Sequence, residues 1–298
     1  MRYSIAVLDN ISLLEKAEEN IQSVSNSDIV FAQEEPANEE DLIKRTGKAE
    51  IVLISPRVKI TKRYIDHCPS VKYIGVCGTS LENVDRSEIT KRAIVLTNVK
   101  DYGDDPAAEF IFMQLAMLLR GIGKYQWKDE PHELMGRTFG IIGLGALGQS
   151  IARLALAYKM RTRYFSPRRK TEWEEKGARY ADIGKLLKTS EIVCISTPSN
   201  LNILGKKEFE HINRGSVVIQ ASMGKVFDHE AFLQWIARDG NYAIFDYSAG
   251  EENYQLYHSL PKVIFPKVVA GHSIETRQRL GEIVVEHLQS YFLSRSKE

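Results

Sequence analysis

The stretch Thr138-Phe139-Gly140-Ile141-Ile142-Gly143-Leu144-Gly145-Ala146-Leu147-Gly148 decides how the rest of the chain is read. It opens on an apolar run with the composition of a buried strand. It leads into Leu147–Tyr158, whose apolar residues recur at helical spacing. Gly143 suits a tight turn, Gly145 leaves the backbone bare for close approach, and Gly148 lets helix and strand pack without a side chain between them. A helix starting at such a turn presents unpaired N–H groups and the positive end of its dipole, a seat for a pyrophosphate. Three glycines at this spacing are a weak signal alone; the strand before and the helix after make it specific.

Outward from the turn, short β-branched runs alternate with amphipathic segments. Before it, Ser4–Leu8, Asp28–Ala32, Glu50–Ser55, Val71–Cys77 and Ala93–Val99 read as strands. Ser12–Val24, Glu39–Lys48, Thr61–Cys68 and Ser87–Lys91 read as helices. After it, strands are expected at Arg161–Phe165, Glu191–Ser196, Ser216–Gln220, Tyr242–Phe245 and Val263–Phe265. Helices are expected at Ile183–Leu187, Lys206–Glu210 and His229–Arg238. This alternation predicts an α/β protein with parallel sheets covered by helices on both faces. Asp105–Ile122 joins the two series, with Asp104 as its N-cap and Pro106 in its first turn. Its apolar residues cover nearly the whole circumference, which predicts burial between domains or between subunits. Asn38-Glu39-Glu40-Asp41 reads as an N-cap and acidic first turn, and Ser273–Ser294 as a closing amphipathic helix. Tyr125, Trp127 and Tyr254 are read first as packing residues.

Composition narrows the function classes. The 298 residues are 43% hydrophobic and 27% charged, an ordinary globular profile with room for two medium domains. Forty Lys and Arg against 39 Asp and Glu leave a net charge of +1, with no global field for nucleic acid or a membrane surface. The longest apolar run, Phe110–Leu119 broken by Gln114, is too short to span a bilayer. The first ten residues alternate like a strand and lack the apolar core of a signal peptide. Cys68, Cys77 and Cys194 form an odd, scattered set without metal spacing, so no metal is expected. Free buried thiols in a reducing cytoplasm are the reading.

A dinucleotide's ribose is read near the end of the next strand, roughly 20 residues beyond the turn. An Asp or Glu there suits NAD. Ser166 stands at that position, followed by Arg168, Arg169 and Lys170. A hydroxyl with guanidinium groups suits a 2′-phosphate, which a carboxylate repels, so NADP is expected before NAD, NAD remaining possible.

With these blocks in order, the chain resembles the D-isomer-specific 2-hydroxyacid dehydrogenases, the group that includes glycerate, glyoxylate/hydroxypyruvate and phosphoglycerate dehydrogenases. The resemblance is carried by Val71–Gly75 through Asn83-Val84-Asp85, Thr97-Asn98-Val99 through Glu109, the glycine turn, Gly215–Asp228, and Ala270-Gly271-His272-Ser273 with its helix. It implies two doubly wound domains, a flavodoxin-like substrate domain at 1–103 with 274–298 returning to it, and a Rossmann cofactor domain at 104–273. It also implies a homodimer and a small-molecule substrate. Gly143, Gly145, Ala146, Leu147, Gly148, Ser166, Arg168, Arg169, Thr197, Pro198, Ala221 and Asp246 fall at cofactor-binding positions, although Ala146 stands where many members carry Arg. Gly78 and Thr79 match the loop whose backbone N–H groups hold a carboxylate. Arg57, on a strand-end loop, is a further anion candidate.

Catalysis in the family uses an Arg on the substrate carboxylate, a His that shuttles the proton, and a Glu that sets the His. Each is carried over singly. Met223, in Gln220-Ala221-Ser222-Met223-Gly224, stands at the Arg position. Glu251 lies five residues after Asp246, as the Glu should, with Glu252 the adjacent alternative. Aligned on Ala270-Gly271, Val268 replaces the His; aligned on Pro266, Lys267 does. Lys267, if its pKa is lowered, and His272, four residues after Val268, are the substitute proton carriers. The reading is an oxidoreductase acting on a 2-oxo or 2-hydroxy acid, or a related carbonyl compound, with a non-standard proton donor. The alternative is a catalytically degraded member that binds dinucleotide as a sensor or scaffold.

Overall fold

The computed structural model describes residues 3–295; the ends of the first expected domain, at 1–2 and 296–298, lie outside the described residues. The chain divides into two compact units. One comprises residues up to Tyr102 and from Ser273 onward, the other Gly103–His272.

In the first unit the elements are β1 (Ile5–Val7), α1 (Glu15–Val24), α2 (Glu39–Thr46), β2 (Ile51–Ile54), α3 (Lys62–His67), β3 (Tyr73–Val76), α4 (Arg86–Lys91) and β4 (Val95–Asn98). The strands pair in parallel in the order β1-β2-β3-β4. β2 and β3 are buried throughout, as a parallel sheet covered on both faces requires. The expected strand at Asp28–Ala32 is not formed. Only Phe31 bridges to Val7, on the free side of β1. The Ile29 N–H goes instead to the Gln22 side chain at 2.8 Å, and Val30 is 81% exposed, so local side-chain bonds displace the ladder. The bridge keeps the position that an outer strand takes in a 2-1-3-4-5 sheet. α1 starts three residues later than its periodicity suggested, because Ser12 has φ +58° and its N–H bonds the Asn10 side chain. Asn38 caps α2 through the Asp41 N–H at 2.9 Å, as read from the sequence.

The second unit runs α5 (Asp104–Arg120), β5 (Thr138–Ile142), α6 (Ala146–Ala157), β6 (Arg161–Phe165), α7 (Thr171–Glu175), β7 (Arg179–Tyr180), α8 (Ile183–Thr189), β8 (Ile192–Ile195), α9 (Lys206–His211), β9 (Val217–Gln220), α10 (His229–Ile236), β10 (Tyr242–Phe245), a 3₁₀ turn (Tyr247–Ala249), α11 (Glu251–Tyr257) and β11 (Val263–Ile264). Its seven strands are parallel, in the order β11-β10-β9-β8-β5-β6-β7. The direction of winding reverses between β5 and β8, the switch point where such sheets bind ligands. Alternate residues serve two cores. Ile192 and Cys194 join α5 and α6 on one face, while Val193 and Ile195 join α8, α9 and α10 on the other. Gly103, not Asp104, is the N-cap of α5, and Asp104 opens the helix. α5 buries Ala108, Ile111, Phe112, Leu115, Leu118 and Leu119, yet leaves Met113 49% exposed, so its apolar circumference is covered on one side within its own unit.

The last helix, α12 (Ile274–Arg295), belongs to the first unit. Arg277 donates to the Ser12 and Leu13 carbonyls at 2.9 and 2.8 Å. Gly281 lies so close to α1 that a Cβ there would be 2.6 Å from that of Ala17. Leu280, Val284, Leu288 and Tyr291 complete the core around Ile5 and Ile21.

Candidate cofactor and catalytic site

The glycine turn closes β5 onto α6. Gly143 has φ +99°, and a Cβ there would lie 2.4 Å from the Ser196 carbonyl oxygen, so only glycine fits. At Gly148 a Cβ would stand 2.1 Å from the Gly143 oxygen, which also accepts the Ser196 hydroxyl at 2.8 Å. Gly145, the N-cap of α6, is the opposite case: a Cβ there meets nothing within 4 Å. It is exposed, as is Ala146, and α6 has no side-chain cap and no acidic residue in its first turn. A bare, uncapped start to a twelve-residue helix fits the pyrophosphate of a dinucleotide.

At the end of β6, Ser166 is buried and carries no charge. The loop beyond it is closed by Tyr164, whose hydroxyl accepts the Lys170 N–H at 2.8 Å and lies 3.0 Å from Glu174 Oε1. Arg169 grips Glu174 in a fork, Nε to Oε1 at 2.6 Å and Nη2 to Oε2 at 2.5 Å. Exposed Arg168 forms no hydrogen bond or ion pair among the described residues. The two adjacent arginines therefore have different standing: one is committed to α7, the other is free.

After β8 and β9, the Thr197 N–H donates to the Ser222 hydroxyl at 2.8 Å, and that hydroxyl bonds the Ile195 carbonyl at 3.2 Å. Ala221 is buried and tied to the same carbonyl at 2.9 Å, while Pro198 is exposed. Gln220 Nε2 holds the Gly224 carbonyl at 2.7 Å, so residues 221–224 form a fixed loop. Met223 is 47% exposed on it.

Asp246 organises the end of β10. Its Oδ1 accepts the Ser248 N–H at 3.1 Å and the Ala270 N–H at 2.8 Å, and its Oδ2 accepts the Ser248 hydroxyl. The Tyr247 N–H donates to the Val268 carbonyl at 3.1 Å. Residues 268–270 are thus stitched to 246–248, with the Val268 side chain 47% exposed. Glu251 opens α11, a seven-residue helix that the sequence reading did not include. Its Oε2 accepts the Tyr247 hydroxyl, its Oε1 accepts Gln255 Nε2 at 2.6 Å, and Lys267 Nζ stands 3.5 Å from Oε2. The Tyr247 hydroxyl, the Gln255 amide and the Lys267 charge hold the Glu251 carboxyl below the usual range. Lys267 also lies over the Tyr247 and Tyr254 rings, 5.5 and 5.4 Å from their centroids. The Tyr247 hydroxyl and the Glu251 charge push its ammonium up, not down. The expectation of an acidified lysine is therefore overturned: Lys267 is exposed and paired with an anion, whereas lowering its pKa needs burial or a neighbouring cation. His272 is exposed; its backbone N–H bonds the Val269 carbonyl at 3.0 Å, and its ring has no partner among the described residues. Trp127 is buried, its indole N–H on the Gly215 carbonyl at 2.8 Å, a packing residue as read.

In the first unit, Gly78 ends β3 against Pro56, whose Cγ would lie 2.3 Å from a Cβ at that position. The Gly78 N–H is committed to the Val76 carbonyl at 2.9 Å, so the exposed Thr79 carries the free backbone donor of the pair. Asn98 fixes the Thr79 carbonyl at 2.6 Å. Arg57 pairs with Glu35 at 2.7 Å and donates to the Asn10 carbonyl at 3.1 Å, with both ionic side chains more than half exposed. Asp9, fully buried and overlooked in the sequence, accepts the Ser55 N–H at 2.8 Å and anchors that loop. No described group of His, Cys, Asp and Glu could hold a metal, and all three cysteines are free and buried. No described helix is long and apolar enough to cross a membrane.

A seven-stranded doubly wound sheet with an open, glycine-lined switch point is the geometry of a dinucleotide-binding domain, and its relatives make the chain an NAD(P)-dependent oxidoreductase. Residues 113–268 match the D-isomer specific 2-hydroxyacid dehydrogenase NAD-binding domain, and the chain belongs to the D-isomer-specific 2-hydroxyacid dehydrogenase family. Glyoxylate reductase of Thermococcus litoralis is 28% identical over 84% of this chain and 82% of its own. A Schizosaccharomyces pombe protein described as a 2-hydroxyacid dehydrogenase is 31% identical over 77% and 73%. Among solved structures, D-lactate dehydrogenase of Aquifex aeolicus with NAD and lactic acid superposes with a TM-score of 0.79 at 19% identity, covering 98% of this chain and 96% of that one. The acyclic imino acid reductase Bsp5 with NADPH and D-Arg gives 0.82 at 22%, covering 97% of each.

Proposed function

We propose that the protein is an NADP(H)-preferring reductase of a 2-oxo acid or related carbonyl compound, with a proton donor other than the family histidine. The carrying observation is the end of β6, where an uncharged buried Ser166 precedes a free Arg168. A carboxylate at Ser166 would repel a 2′-phosphate; this pair accepts one. Gly143, Gly145, Ala146, Leu147 and Gly148 hold the pyrophosphate, with Thr197, Pro198, Ala221 and Asp246 lining the rest of the cofactor. The bound dinucleotide supplies the hydride. Thr79, with Gly78 shaping its loop, and Arg57 take the substrate carboxylate; Arg57 must leave Glu35 to do so. A homodimer built on the second unit goes with this reading, and the three free thiols support a cytoplasmic setting.

Kinetics with NADPH and NADH over a panel of 2-oxo acids, aldehydes and imines tests this reading. Turnover faster with NADPH, weakened by Arg168→Ala, is expected. Binding of NADPH with no turnover on any substrate would favour the sensor alternative instead.

A further inference from the structure

Glu251 keeps its family position, yet the group seated on it is a phenol. Three connections put the phenol there. The Tyr247 backbone is bonded to Val268, the position read as the replaced histidine, at 3.1 Å. Its hydroxyl donates to Glu251 Oε2. Its ring is overlaid by Lys267, whose ammonium is 3.5 Å from the same carboxylate oxygen. From the geometry we infer that Tyr247 is the proton donor of this site, held by Glu251 and recharged through Lys267. This rests on the reductase reading above and names the donor that reading leaves open.

The other candidates are less well placed. His272 is exposed and nothing orients its ring among the described residues, whereas a proton carrier must be held within hydrogen-bond reach of its target. Lys267 as direct donor would have to leave both its anion and two aromatic faces. Tyr247 is half-buried and neutral in its acid form, and its neighbours pull in opposite directions. Glu251 and burial raise its hydroxyl above the ordinary phenol range, and Lys267 offsets part of that rise. The remaining groups beside it are the Tyr254 ring, 5.4 Å between centroids, and the Asp246 carboxylate, already saturated by Ser248 and Ala270.

The step balances. The carbonyl carbon receives the hydride, and its π pair moves to oxygen. The phenolic hydrogen turns from Glu251 Oε2 to that oxygen, and the O–H bond of Tyr247 breaks as the product O–H forms. The phenolate then takes a proton from Lys267 Nζ, which solvent restores. No oxidant or reductant is needed beyond the reduced nicotinamide dinucleotide.

Tyr247→Phe, Glu251→Gln and Lys267→Met test the inference by two readouts. Tyr247→Phe should lower kcat about 10²–10⁴-fold at little change in KM, with NADPH affinity by calorimetry unchanged. Tyrosinate absorbance, recorded during an alkaline titration as the difference from Tyr247→Phe, should show Tyr247 ionising at lower pH in Glu251→Gln and at higher pH in Lys267→Met. Wild-type kcat in Tyr247→Phe overturns the donor role. Should that variant not fold, unchanged kcat together with an unmoved alkaline limb of the kcat–pH profile in both Glu251→Gln and Lys267→Met overturns it as well. A wild-type protein that binds NADPH but reduces nothing defeats the reductase reading itself, a different outcome from an active Tyr247→Phe.

Discussion

The glycine turn and the segment 246–272 lie at the ends of strands in one sheet, and they have been treated differently. At the turn, recognition is built from backbone: open N–H groups, a positive φ and two close approaches that exclude side chains. At 246–272, chemistry is built from side chains on a clasped loop, where an imidazole can give way to a phenol while the backbone stays put. A cradle made of main chain constrains the sequence to glycine. A catalytic group needs only reach and orientation, which several residue types supply.

That contrast can be broken in graded steps. Gly148→Val should act most strongly. Its Cβ meets backbone, which cannot turn aside, so overpacking costs roughly 1–3 kcal/mol or more and cofactor affinity falls with it. Urea unfolding and NADPH calorimetry read both; unchanged values would mean the turn is looser than drawn. Asp246→Ala should come next, stranding the buried Ala270 N–H at about 1–3 kcal/mol. Here both kcat and NADPH affinity should drop, since the clasp holds the catalytic loop and Asp246 also lines the cofactor, and loss of neither would contradict both roles.

Arg168→Ala should weaken NADPH about tenfold, the loss of one charge-assisted bond, and leave NADH nearly unchanged. Equal weakening of both cofactors would contradict a 2′-phosphate contact. Arg169→Ala should do less to NADPH and more to the loop, because its guanidinium serves Glu174. The smallest effect belongs to acid pH. Glu251 is depressed in the folded state, so its contribution to stability is present above the ordinary carboxylate pKa and lost as pH falls through the lowered one. Because the carboxylate is exposed, Glu251→Gln should lower Tm only slightly at neutral pH and converge on wild type in acid, where the wild-type contribution is already lost; a gap that widened in acid would contradict this.

Much of the fold was legible because buried parallel strands announce themselves. Thr138–Ile142 and Tyr242–Phe245 form where the apolar runs lie, and Arg161–Phe165 where inward residues alternate with outward ones. Asp28–Ala32 had the right composition but lost its ladder to Gln22, a competition invisible in periodicity. β7, two residues long, is too short to leave a pattern. In the site, the glycines were readable because each has a steric reason to be glycine. Tyr247 was not. Its role comes from the Glu251 seat and the Val268 bond, and neither follows from spacing; Tyr247 adjoins Asp246, the one hint available. Lys267 was read as a proton carrier with a lowered pKa, the wrong sign, since the Glu251 anion beside it stabilises its ammonium.

The late return of α12 to the first unit has a consequence for how the protein is made. On the ribosome, Ile5, Ala17 and Ile21 emerge before the second unit, but the helix that covers them is synthesised only after the whole of it. The first unit must wait with an open apolar face while the inserted one folds, and Arg277, reaching back to Ser12 and Leu13, closes it like the final stitch of a seam.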